Sequence, residues 1–255
     1  MKYRREIDGL RALAVIPVIF FHAGFSLFSG GFVGVDIFFV ISGYLITSIL
    51  INEINSDKFS IINFYERRAR RILPALFLVM LVSAPFAWFW LIPADMLDFA
   101  QSYSAISVFS SNLLFWKESG YFDVATELKP MLHTWSLAVE EQFYVILPLL
   151  LSVLWRFGLN ACVTVLTVFA VSSLLLAHWS SSNAPSAAFY LLPFRWWELA
   201  LGSLTAFFMY RSTGSGLGLK LRQLLCYFGV VLIAISLFSF DKHTPFPSFY
   251  TLLPV

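Results

Sequence analysis

Long apolar stretches separated by short polar ones dominate the chain. Runs of spanning length fall near residues 10–28, 32–51, 72–92, 136–155, 159–178, 190–210 and 221–240. A membrane-crossing helix needs about 20 mostly apolar residues, so each run predicts a transmembrane helix. A further candidate, 97–116, is Ser-rich (Ser102, Ser104, Ser107, Ser110, Ser111) and carries Gln101 and Asn112. It is expected to span, to lie at the interface or to re-enter, with a slight preference for a version that does not cross. A last run starts near Phe246 and stops at Val255, too short to cross, and the expectation is that the chain is cut before its natural end. Every backbone polar group in lipid must be satisfied locally, and the runs are too long for barrel strands. The predicted fold is therefore an all-α polytopic bundle of about eight or nine hydrophobic segments.

Composition sharpens this into a choice of solvent. Hydrophobic residues make up 59% of the 255 positions and charged ones 13%, with a mean hydropathy of +0.78. Soluble domains run near 45–50% apolar and about 25% charged, so a soluble core of this size has no room for so much apolar surface. The net charge of +2 argues against nucleic acid as a partner. Cys162 and Cys226 both sit in apolar runs and read as buried small hydrophobes, neither a disulfide framework nor a metal site. The N-terminus mimics a signal peptide, but the run 10–28 is long, carries Arg11 and His22 and lacks a small-residue exit, so it is expected to stay as the first span.

Orientation follows from Lys and Arg. The N-terminal tail and the 52–71 loop hold nine of the seventeen: Lys2, Arg4, Arg5, Arg11, Lys58, Arg67, Arg68, Arg70 and Arg71. Two spans separate these stretches, so they share a side, expected to be the cytoplasm. If 97–116 does not cross, Arg156, Arg211, Lys220 and Arg222 also fall inside, while Lys117, Lys129 and Lys242 face out.

Ionisable residues within spans are candidates for function. His22 would lie about 18 Å along the first helix from Leu10, past the midplane, where imidazole is well suited to acid–base work. Arg11 lies eleven residues earlier, on nearly the same face and roughly 16 Å lower. Asp8, three residues before Arg11, can orient it. The competing readings are a packing histidine and a positive-inside anchor. In the run Phe64 to Arg71, Arg68 and Arg71 share a face, as do Arg67 and Arg70, and paired guanidinium forks suit phosphate; topology or lipid head groups account for them equally well. Glu140 and Glu141 open a long apolar run behind His133 and Trp135, about 100° apart on a helix. One of them would face the bundle, unless the stretch is an interfacial cap with an aromatic belt from Trp135 and Tyr144. Arg195 and Glu198, three residues apart in a span beginning at Phe189, read as an internal ion pair. Gly30 and Gly34 form a G-x-x-x-G that means close helix packing. Asp36, followed by Ser42 and Gly43, wants a partner, with His22 and Arg11 as candidates.

Together these stretches resemble the acyltransferase family 3 membrane proteins. The likeness covers Asp8 to Val15 through His22, Gly31 to Leu45, Phe64 to Pro74, Thr134 to Tyr144, and Phe194-Arg195 with Glu198 and Gly202, in family order along nearly the whole chain, 1–255. The detailed wording is similar to the bacterial subgroup that O-acetylates lipopolysaccharide O-antigen, peptidoglycan or other cell-envelope glycans. The resemblance implies an inner-membrane, multi-pass enzyme with a cytoplasmic N-terminus. It would move an acyl group, usually acetyl from acetyl-CoA, to a glycan hydroxyl outside the cytoplasm, with no permanently bound cofactor. It implies that Arg11 and His22 form the family's arginine-x10-histidine motif and that Arg68 and Arg71 best fit its arginine-x-x-arginine motif. His22 would be base or nucleophile, oriented by Glu140, Glu141 or Asp36. Later spans, and in many members an SGNH hydrolase-like domain, would follow Val255. The competing classes are a transporter or flippase for a lipid-linked sugar and a structural membrane subunit.

Overall fold

A computed structural model of the chain describes residues 4–119, 129–212, 218–241 and 244–255. Lys2 and Lys242 lie outside the described residues. Within them the chain is helical, with no strands. The helices are α1 (Arg5–His22), α2 (Gly34–Asn55), α3 (Ile61–Trp90), α4 (Pro93–Ser107) and α5 (Ser111–Ser119), then α6 (Thr134–Leu154), α7 (Leu159–Asn183), α8 (Pro185–Tyr190), α9 (Leu192–Arg211) and α10 (Leu219–Ser239). Five are long and apolar enough to cross a bilayer: α2, α3, α6, α7 and α10. α1 and α9 are not among these five; α1 carries Arg5, Glu6, Asp8 and Arg11, and α9 carries Arg195, Glu198 and Arg211. The protein is a multi-pass membrane helix bundle.

The boundaries differ from the hydropathy runs where backbone geometry intervenes. The first helix stops at His22 and does not continue to residue 28, because Gly24 takes a left-handed φ of +81° and turns the chain into a short 3-10 segment, Ser26–Phe28. The third helix reaches back to Ile61, where the Ser60 hydroxyl accepts from the Asn63 amide, so the arginine run lies on the same helix as the apolar stretch. The run 97–116 is broken. Residues 108–110 turn with Phe109 at φ +52°, leaving helices of 15 and 9 residues, neither long enough to cross. The run 190–210 is likewise split at Leu191, and α9 starts one residue before Pro193, which needs no amide partner there. Cys162 is buried as expected, but Cys226 is exposed, because α10 buries only 11% of its apolar stretch. The terminal run forms a 3-10 turn, Phe249–Leu252, capped by Ser248 and Thr251.

The helices divide into two compact units. The first comprises Met1–Ile51 and Leu150–Val255. α2 is its most buried span, with 61% of the apolar stretch covered. Small residues let its neighbours approach. A Cβ at Gly34 would meet the Ala14 carbonyl of α1, one at Gly43 the Leu199 carbonyl of α9, and one at Gly202 the Val40 carbonyl of α2. Gly30 abuts the carbonyls of Ser236 and Leu237. The G-x-x-x-G therefore does mean close packing, but its two glycines face different elements. Thr47 donates to Ser203 at 2.7 Å across the same α2–α9 contact. A core of Ile7, Ala14, Val33, Ile37, Ile41, Leu237 and Phe240 closes the unit.

The second unit is Asn52–Leu149. Leu76, Met80, Ala87, Phe99, Ile106 and Met131 form its core. α3 carries Arg67–Arg71 near one end and the exposed Trp88, Phe89 and Trp90 at the other. Arg71 and Trp88 lie about 26 Å apart at 1.5 Å per residue, close to the hydrocarbon thickness of a bilayer, and cations and tryptophans are the residues that mark its two faces. Trp135 and Tyr144, candidates for an aromatic belt, are instead buried.

Because Gly43 and Gly202 face backbone, Gly43→Val and Gly202→Val should each destabilise the protein by about 1–3 kcal/mol or more. Gly229 has nothing within 4 Å, so Gly229→Val should leave the melting temperature unchanged. Thermal unfolding in detergent checks this; equal shifts at all three positions would contradict the packing.

Candidate functional site

On α1, Arg11 and His22 lie on one unbroken helix of 18 residues. Asp8 pairs loosely with Arg11 at 3.8 Å, and the Arg11 side chain is half-buried. His22 is the final helical residue and is exposed. Its Nδ1 lies 2.8 Å from the Val18 carbonyl. A carbonyl can only accept, so Nδ1 carries the proton, which leaves the Nε2 lone pair of the neutral ring free to act as a base. Phe21 packs edge-on against the ring at 5.2 Å.

A second constellation is wholly buried. Arg195 Nη1 contacts Asp36 Oδ1 at 2.9 Å and Glu198 Oε1 at 2.9 Å, and all three side chains have no exposure. The partner of Asp36 is therefore Arg195, not His22 or Arg11. The reason is geometric: the close α2–α9 contact through Gly43 and Gly202 brings Asp36 to the start of α9. The Arg195 guanidinium also lies over three rings, Phe246 at 4.9 Å, Phe39 at 5.5 Å and Phe189 at 5.9 Å. Ser173 of α7 completes the setting, donating to the Pro193 carbonyl at 2.7 Å and accepting from the Trp197 amide at 3.1 Å. Ser42, flagged beside Asp36, is buried on α2.

The third constellation belongs to the second unit. Tyr65, Arg68, Ala69, Ile72 and Leu73 of α3, Val108 and Phe109 of the turn, and Glu141, Gln142 and Val145 of α6 line a cavity of about 280 Å³. Of the four arginines, Arg67 is held by Glu53 at 2.6 Å and Arg70 by Glu66 at 2.7 Å. This leaves Arg68 and Arg71 without an ion pair among the described residues. Arg68 enters the cavity, lying over the Tyr144 ring at 5.7 Å, whereas Arg71 is exposed. Glu141 lines the cavity with one oxygen, Oε1, lacking a hydrogen-bond partner among the described residues. Its neighbour Glu140 is buried and takes no part in the lining, as the 100° step between adjacent helix positions requires. His133 is exposed just before α6, and its carbonyl accepts from Ser136.

Sequence reasoning missed the groups that fix the cavity wall. Gln142 donates to Asn112 at 2.8 Å and to the Phe109 carbonyl at 3.1 Å, and Asn112 donates back at 3.3 Å. Tyr65 donates to the Val145 carbonyl at 2.9 Å. The available signal was Asn112 in the Ser-rich run, an amide that needs a hydrogen-bond partner once buried.

Comparison with known proteins adds an independent line. The family profile described as "Acyltransferase domain" matches residues 4–254. YrhL of Bacillus subtilis, provisionally named a peptidoglycan O-acetyltransferase, is 35% identical over 96% of this chain and 40% of its own length. The peptidoglycan O-acetyltransferase OatA of Listeria monocytogenes is 38% identical over 81% of this chain and 34% of its own. The O-acetyltransferase OatA of Staphylococcus aureus is 34% identical over 81% of this chain and 35% of its own. The chain thus spans about a third to two fifths of the length of these three relatives. No solved structure matches.

The charge count of the buried cluster yields a test. Removing Arg195 strands two carboxylates, a loss in the range of about 3–5 kcal/mol for a broken buried pair. Removing one acid leaves a one-to-one pair. Arg195→Met should therefore abolish or strongly reduce monodisperse protein, while Glu198→Gln should be recovered with a melting temperature near wild type. The reverse order would contradict the cluster.

Proposed function

The chain belongs to acyltransferase family 3, and on that premise we propose that it is the membrane part of an O-acyltransferase that moves an acyl group, most simply acetyl, from acyl-CoA to a hydroxyl of a cell-envelope glycan. The observation that carries the reading is the α1 geometry: an exposed histidine whose Nδ1 is committed to Val18, aligned on one helix with a half-buried arginine. The names of the relatives, which describe acetylation of peptidoglycan, support a cell-envelope glycan as the acceptor class.

In this reading the protein lies in the inner membrane with the N-terminus and the α3 arginines on the cytoplasmic side, following the Lys and Arg distribution. Coenzyme A is too charged to cross lipid, so its phosphates stay with the cytoplasmic arginines. Within the second unit Arg68 and Arg71 are the candidates for phosphate, since Arg67 and Arg70 are already held by carboxylates. Within the first unit the face shared by Arg11 and His22 offers about 16 Å of helix along which a pantetheine arm can lie. His22 Nε2 takes the proton of the glycan hydroxyl as its oxygen attacks the thioester carbonyl. The carbon–sulfur bond breaks, and the coenzyme A thiolate leaves with the proton returned by His22. Histidine acylation followed by transfer is the alternative order of the same bonds. Asp36, Arg195 and Glu198 serve the fold of the first unit.

His22 is exposed and among the described residues makes one local hydrogen bond, so replacing it should spare the fold. His22→Ala should lower glycan O-acetylation by at least about 100-fold, the lower end of what a general base contributes. The check is the O-acetyl content of purified glycan at matched membrane expression, in cells lacking any other copy of the activity. Unchanged acetylation would remove His22 from the chemistry.

A further inference from the structure

A second cavity lies in the first unit, at the end of the fold that carries His22. Leu232 and Phe240, with Phe249, Tyr250, Leu252 and Leu253 at the terminal 3-10 turn, line about 300 Å³ of space. Ligand pockets run from about 300 to 1,000 Å³. No charged side chain lines it, so it suits an apolar occupant. Leu232 lies about 10 Å along α10 from the helix end at Ser239, so the cavity reaches from within that span to its end. It is open on the lipid side: α10 buries 11% of its apolar stretch, and Tyr250 and Leu252 are exposed. Two sets of contacts tie this cavity to the His22 end. The segment after α1 is bonded to the cavity wall, with the Ser29 hydroxyl donating to the Phe240 carbonyl at 2.8 Å and the Gly30 amide to the Leu237 carbonyl at 3.1 Å. Ring contacts also run from His22 to Phe21 at 5.2 Å, from Phe21 to Phe32 at 5.7 Å and from Phe32 to Phe246 at 4.8 Å, three residues before Phe249. Phe249 itself stacks on the exposed His178 of α7 at 4.0 Å. The turn that holds these rings is fixed from beneath, because Ser248 and Thr251 are wholly buried and cap each other. The space is thus apolar along its length and bordered by an exposed imidazole and the Tyr250 phenol.

We propose that this cavity holds the apolar chain of the acceptor, so that the acceptor is a lipid-linked glycan whose sugar is presented at the His22 end. The proposal rests on the acyltransferase reading above and deepens it by naming the form in which the glycan arrives. A water-soluble polymer has no chain to place against Leu232 and Leu252. The commitment to a glycan-bearing lipid comes from what borders the cavity. His178 and Tyr250 offer ring faces and hydrogen-bonding edges to a hydroxylated head, and the free Nε2 of His22 stands at the same end. A phosphatidylcholine head has no hydroxyl and uses none of these.

The experiment uses the full-length protein in phosphatidylcholine nanodiscs with acetyl-CoA and the same glycan either lipid-linked or free in water, and reads kcat/KM for each acceptor. Leu232→Trp fills the cavity, whereas Val231→Trp adds the same bulk one residue away, at an exposed position outside the lining. Wild type and Val231→Trp should prefer the lipid-linked acceptor by about tenfold or more, the worth of roughly two buried methylenes, and Leu232→Trp should lose most of that preference. A preference unchanged in Leu232→Trp, or lost equally in Val231→Trp, assigns the cavity to bulk lipid and overturns the proposal. Equal turnover of both acceptors by wild type also overturns it, while leaving the acyltransferase reading intact. No acetyl transfer to either acceptor overturns both. A second measurement needs no variant: a lipid-linked glycan with a diazirine in its chain should crosslink to the 249–253 segment more than a phosphatidylcholine carrying the same diazirine. Equal labelling by the two lipids overturns the proposal.

Discussion

A guanidinium with no access to solvent is the constraint on which the first unit depends. Arg195 is fully buried, and lipid offers it nothing, so the fold must bring it both counter-charge and hydrogen-bond acceptors. Glu198 supplies one carboxylate from the next turn of α9 and Asp36 supplies another from α2. The close α2–α9 approach at Gly43 and Gly202 holds the two helices near enough for that second contact. Phe39, Phe189 and Phe246 cover what remains of the cation with aromatic faces. The glycines, the ion cluster and the aromatic wall thus meet in one region of the first unit.

The charges of the second unit behave differently. Arg67 and Arg70 are tied to nearby glutamates in exposed pairs, each worth little. Arg68 turns into the cavity and faces Glu141 without touching it. The Arg195 charge is paired with two carboxylates, whereas Arg68 has no ion pair among the described residues and His22 Nε2 keeps a free lone pair. That difference is what supports the proposal that the buried cluster serves folding and the open groups serve chemistry.

Much of the architecture was legible in the sequence because lipid imposes long apolar helices, and such runs show in hydropathy alone. The Arg195–Glu198 pair was legible as well, being one turn of one helix. Breaks were less so. Phe109 adopts a left-handed backbone with no Gly, Asn or Pro to announce it, and the split at Leu191 is signalled only by Pro193 two residues later. Contacts between distant segments were invisible: Asp36 to Arg195 and Asn112 to Gln142 depend on which helices become neighbours, and a single sequence does not carry that. Arg11 and His22 do lie on one helix, but the Val18 contact that selects the histidine tautomer goes with a helix ending at His22, which hydropathy placed six residues too late.

Transfer across a bilayer is the central claim, and sidedness tests it most directly. Full-length protein is reconstituted into liposomes in a single orientation, with acceptor glycan on one side and acetyl-CoA on the other, and release of the coenzyme A thiol is followed together with acetyl incorporation into glycan. The account predicts both products, in equal amounts, only when acetyl-CoA is supplied on the face that carries the α3 arginines and glycan on the opposite face. Transfer that requires both substrates on the same face, or acetylated glycan formed without stoichiometric thiol release, would contradict it.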